Sequence, residues 1–155
     1  MRIINRPAPA KAEALLARHP MADQLLASHP ARYLFDLVLL EVDFDRVSLL
    51  ADLKDKSLVS AGDYKGTLGL VVDLAARMAG TGLLGASELV EYELHHYQGP
   101  QLASLKVEAS VELPSPGFAI CQCAISTCGD LEEYRVASAQ GTLVRSASGT
   151  RPLSQ

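Results

Sequence analysis

Asp73 is the only acid in the apolar run 66–80, GTLGLVVDLAARMAG, and it follows Gly66 by seven residues. A run this apolar reads as a core helix, so a carboxylate inside it must be paired, protonated or at work. A glycine at the helix entrance lets a ligand approach the backbone N–H groups of the first turn, at the positive end of the helix dipole. An acid two turns further on can act on whatever is held there. Arg77 stands at i+4 from Asp73, the favourable order for an intrahelical ion pair of about 0.3–0.5 kcal/mol when exposed. On periodicity alone that pair is the simpler reading of the acid. Tyr64 and Lys65 precede the glycine and can hydrogen-bond a carbonyl or meet a phosphate, although their position equally suits a solvated loop.

Other candidates carry less chemistry. His95 and His96 fall on opposite faces of one predicted strand, so at most one points into a pocket. Cys121, Cys123 and Cys128 form an odd, local set that makes a poor disulfide framework. Cys121 and Cys123 share a strand face and read as small buried residues rather than as zinc ligands. No Gly-rich phosphate loop, Gly-x-Ser-x-Gly elbow or paired metal motif is present in the sequence.

The elements that must position Asp73 follow from hydrophobic spacing. Residues 1–30 carry helical spacing (Ala12, Leu15, Leu16, then Met21, Leu25, Leu26) broken by Pro7, Pro9, Pro20 and Pro30. They predict two short helices appended to the core. A hairpin is expected from Leu37 to Leu53, turning at Asp43-Phe44-Asp45. The apolar helix follows and ends among Gly80, Gly82 and Gly85. Alternating segments then run from Glu88 to Tyr97, Leu105 to Leu113, Phe118 to Thr127 and Tyr134 to Arg145, and they predict an antiparallel meander. The sum is an α+β domain over 31–145, a curved antiparallel sheet wrapped around one long central helix, with a mobile tail at 146–155.

At 155 residues the chain suits one core. A formal charge of -4, with Lys and Arg scattered, excludes the basic stripe that a nucleic-acid surface needs. The start, Met1 to Pro7, has no leader pattern, and no uncharged apolar run reaches the roughly 18–20 residues of a membrane span. A soluble, cytoplasmic protein with no membrane partner is expected.

Tyr64-Lys65-Gly66 followed by Asp73, and then Leu94-His95-His96-Tyr97-Gln98-Gly99-Pro100, resemble the central-helix opening and the following strand end of the hotdog-fold thioesterases. The resemblance is to the phenylacetate-pathway and 4-hydroxybenzoyl-CoA thioesterase type, over roughly residues 31 to 145. That family opens its helix with His-Gly-Gly and carries an Asp or Glu seven residues after the last Gly. The resemblance implies a hotdog fold and acyl-CoA hydrolysis without a cofactor. Gly66 would be the oxyanion donor and Asp73 the nucleophile or general base, with Tyr64, Lys65, Thr67 and Arg77 around the substrate. It also implies a site between two subunits of a homodimer or homotetramer, and Lys106, Arg135 and Arg145 become candidates for CoA phosphates.

The chain departs from that pattern. Tyr64 and Lys65 replace the His and the first Gly, Leu58 and Ala61 stand where an Asn and a Gly commonly precede them, and Arg77 replaces a hydroxyl residue. These changes support an alternative, a hotdog module that binds acyl-CoA or another apolar ligand without hydrolysing it. A hotdog dehydratase would need a catalytic His at the start of the central helix, which is absent.

Overall fold

The computed structural model describes residues 19–59, 64–97, 103–128 and 134–146. The helix expected around Ala12 and the tail from 147 lie outside them. Pro20 fills the first turn of helix α1 (Pro20–Ser28), where its missing N–H costs nothing. A single turn, α2 (Ala31–Leu34), leads directly into strand β1 (Phe35–Val42). Ala22 and Ala31 are fully buried within the main hydrophobic cluster, so this segment is packed against the core.

The expected hairpin forms between β1 and β2 (Arg46–Leu53). Its turn is closed by the Asp43 N–H donating to the Arg46 carbonyl and by the Phe44 N–H donating to the Asp43 carboxylate. The central helix, α3, spans Tyr64–Leu84. It begins two residues earlier than the apolar run suggests, which places Tyr64 and Lys65 in its first turn with Gly66 rather than in a loop. It also runs through Gly80 and Gly82. There the absent side chains allow close packing, since a Cβ on Gly80 would meet Leu143 at 2.9 Å and one on Gly82 would collide with the backbone carbonyl of Phe44. The helix stops before Gly85, whose φ of 72° is the left-handed conformation favoured just past a helix end.

Four more strands follow: β3 (Ser87–His96), β4 (Ser104–Ser115), β5 (Phe118–Thr127) and β6 (Arg135–Arg145). They join one six-stranded antiparallel sheet in the order β1-β2-β4-β5-β6-β3. The meander holds for β4, β5 and β6 and fails for β3, which pairs with β6 at the far edge instead of with its sequence neighbour β4. Alternation reports which face of a strand is buried and carries no information about which strand lies beside it, so this crossover was not legible. A bulge between Leu89 and Glu91 removes Val90 from the expected common face with Tyr92 and Leu94, and leaves Val90 exposed.

The sheet curves around α3. Leu68, Val71, Val72, Leu74, Ala75 and Met78 of the helix are fully buried among inward-facing Leu49, Leu105, Val107, Ile125 and Leu143 of the strands. By length and composition α3 could cross a membrane, but 67% of its most apolar window is buried inside the protein, as in a core helix. One stripe escapes the sheet. Gly66, Leu70, Asp73 and Arg77, spaced i, i+4, i+7 and i+11, remain partly or fully exposed along the helix.

Candidate functional site

Asp73 lies half-buried on that stripe, 30% exposed. Its Oδ2 is held by two donors: Nε2 of His29 at 2.6 Å and a guanidinium nitrogen of Arg77 at 3.5 Å. The i, i+4 pair expected from spacing is present. It is the longer of the two contacts. No hydrogen bond engages Oδ1 among the described residues. Arg77 is itself fixed, because its Nε donates to the Ser87 carbonyl at 3.0 Å and so ties α3 to the start of β3.

Opposing effects set the charge state of Asp73. Burial pushes the carboxyl pKa up. The His29 hydrogen bond, together with the Arg77 charge, outweighs that and leaves it below the usual carboxylate value. The group is therefore ionised at neutral pH. Beneath it is β5, where the Cys121 thiol is raised first by burial and also by the charge of Asp73. Cys123 is pushed up to about 12 by complete burial. Both are small buried sheet residues, as expected.

His29 escaped the sequence reading. It follows α1 as its C-terminal cap, is only 4% exposed, and its Nδ1 accepts the Ala31 backbone N–H at 3.0 Å. The available signal was Asp73 itself, since a carboxylate in an apolar helix requires a partner. Nothing in local spacing singles out a residue 44 positions away.

The other expected site residues divide sharply. Gly66 is exposed in the first helical turn, where N–H groups have no intrahelical acceptor, and a Cβ there would meet nothing within 4 Å. Lys65 is exposed beside it. Tyr64 points into the core at 1% exposure. Thr67 is buried, and its hydroxyl donates to the Tyr64 carbonyl at 2.6 Å. Neither side chain shares the open stripe with Gly66 and Asp73, because helical geometry turns positions 64 and 67 toward the sheet.

Edge strand β3 runs beside the stripe. His96 lies near Lys65, with its pKa lowered by burial first and then by the lysine charge, and its Nε2 is buried without a partner among the described residues. The Tyr92 hydroxyl lies against Gly69. His95 is exposed and 3.9 Å from Glu93, in keeping with the opposite-face expectation. Of the candidate phosphate ligands, Lys106 faces Glu108 at 3.9 Å, and Arg145 donates to the Leu84 carbonyl at 3.1 Å. A hollow of about 680 Å³ lies on the outer face of the sheet among Glu41, Glu108, Gln122 and Arg135. It is separated from Asp73 by the sheet and lacks the enclosed apolar lining of an acyl pocket.

No protein-family model and no curated protein matches the chain. Solved structures do match. A thioesterase family protein from Silicibacter pomeroyi superposes with a TM-score of 0.69 at 20% identity, covering 80% of this chain and 94% of its own. The PaaI protein from the phenylacetic acid degradation operon of E. coli gives 0.65 at 16% identity, over 83% and 95%. The chain has the hotdog fold. A third hotdog structure, a hypothetical thioesterase from Streptococcus pneumoniae with coenzyme A, gives 0.59 at 13% identity, over 76% and 89%. In this hotdog, the central helix carries the open stripe and the long edge strand β3 flanks it.

Proposed function

We propose that the protein is an acyl-CoA thioesterase in which the Gly66 amide receives the thioester oxygen and the Asp73 carboxylate drives hydrolysis. One observation carries the reading: the carboxylate of Asp73 stands on the same exposed helix stripe as Gly66, a first-turn glycine whose Cβ position has open space around it. Backbone N–H groups at a helix start stabilise the negative charge that develops on the carbonyl oxygen. The coenzyme A bound to a structure of the same fold supports an acyl-CoA ligand.

Seven residues of helix rise separate the two groups by about 10 Å, and the Asp side chain leans back toward the helix start. Direct contact of a carboxylate oxygen with a carbonyl carbon held at Gly66 of the same chain needs a gap of only about 6 Å, judged from hydrogen-bond and near-attack distances. Two arrangements close the difference. A water held by Oδ1 can attack the carbonyl, passing its proton to Asp73 and then to the departing CoA thiolate. Alternatively, a second copy can bring its own acid to this glycine, which accords with a homo-oligomer.

The competing reading is a module that binds an acyl-CoA without turnover, and the low pKa of Asp73, which weakens it as a base, favours it. Free CoA released from short, medium, long and aromatic acyl-CoAs, measured by mass spectrometry beside calorimetric binding of the same compounds, separates the two. Turnover supports the enzyme. Binding without release establishes the module.

A further inference from the structure

We propose that His29 is a positioning residue for the reaction, a side chain from the N-terminal helical segment that fixes which oxygen of Asp73 faces the substrate. This rests on the thioesterase reading above.

Three observations converge. His29 is buried, and its two ring nitrogens are both engaged: Nδ1 accepts the Ala31 N–H at 3.0 Å, and Nε2 meets Asp73 Oδ2 at 2.6 Å. An amide donor on Nδ1 dictates the tautomer, with the ring proton on Nε2 aimed at the carboxylate. Arg77 approaches the same Oδ2, so both donors hold one oxygen, and no described residue hydrogen-bonds Oδ1. A carboxylate free to rotate would present either oxygen and lose alignment with water. Pinned through Oδ2 from two directions, it presents one.

Among the described residues, the charged and titratable groups around the pair are Arg77 on α3 and Cys121 on β5. Arg77 is held by the Ser87 carbonyl, and the Cys121 thiol is raised by burial. Of the two donors, Arg77 at 3.5 Å makes the weaker contact and orients the carboxylate less firmly. His29 supplies the short bond. The arrangement also gives the segment before β1 a role in the chemistry, since its end delivers the imidazole.

Two substitutions split the imidazole into its halves. His29→Asn keeps an acceptor near the Ala31 amide and loses the donor to Asp73. His29→Gln keeps a donor at the Nε2 position. Steady-state kinetics on the full chain, with the acyl-CoA that wild type hydrolyses fastest, are measured from pH 4 to 9 beside thermal melts. The expected result is a kcat reduced about 10- to 100-fold in His29→Asn, the loss typical of a misplaced reacting group, with KM little changed. The acid limb of kcat/KM should move to higher pH as Asp73 loses its short hydrogen bond, and His29→Gln should recover most of kcat.

A His29→Asn protein with wild-type kcat and an unmoved acid limb overturns the positioning role. So does a loss of rate in both variants that follows their melting temperatures, which would make His29 a staple between α1 and α3. Absence of turnover in wild type itself overturns the thioesterase reading, and the positioning role with it.

Discussion

The hydroxyl of Tyr92 lies 2.5 Å from the place a Cβ on Gly69 would occupy, one helical turn before Asp73. Edge strand β3 therefore leans onto the central helix because residue 69 has no side chain. The atom that a methyl would displace is the far end of a partly exposed ring, which can swing outward. Gly69→Ala should leave the melting temperature unchanged or slightly higher, since alanine favours a helix interior over glycine by about 0.5–1 kcal/mol. The cost should instead appear as a changed KM for acyl-CoA, because the ring flanks the proposed site.

Gly82→Ala should behave in the opposite way. Its methyl would strike the backbone carbonyl of Phe44, in the turn between β1 and β2, and a backbone turn cannot rotate aside. Denaturant unfolding should show a loss of about 1–3 kcal/mol, the range for overpacking a tight contact.

Asp73 makes stability depend on pH in a defined direction. Its folded pKa lies below the ordinary carboxylate value, so the unfolded chain takes up this proton first as pH falls. The contribution is therefore complete above the unfolded pKa, near 4 for an Asp, and is lost as pH drops through the folded pKa. In urea titrations between pH 7 and 3, Asp73→Asn should show a shallower acid loss of stability than wild type. An equally steep loss in both would show that Asp73 is not the group responsible.

The cysteines should differ in reactivity. Burial raises Cys121, and raises Cys123 to about 12, so neither forms thiolate near neutral pH, whereas Cys128 is partly exposed. Intact-mass analysis after brief alkylation of the native protein at pH 7.5 should find at most one adduct, and three after denaturation.

Much of the architecture was legible because one-sided burial leaves a period in the sequence. Leu105, Val107, Ala109 and Val111 alternate in sequence and are buried in β4, and the apolar run from Gly66 became the core of α3. The position of β3 was not legible, since its own pattern is the same beside β4 or beside β6. At the site, Arg77 was found because its partner is four residues away on one helix. His29 was missed because its partner is a tertiary neighbour, and Tyr64 and Thr67, placed around the substrate by the resemblance alone, have buried side chains because their helical positions turn toward the sheet.

The central claim is that Asp73 performs the hydrolysis, and the most direct measurement is acyl-CoA turnover by wild type and Asp73→Asn side by side, with melting temperatures recorded for both. The account predicts CoA release by wild type and a loss of about 100-fold or more in a folded Asp73→Asn, the scale expected when a reacting acid–base group is removed. Undiminished release by Asp73→Asn would contradict it.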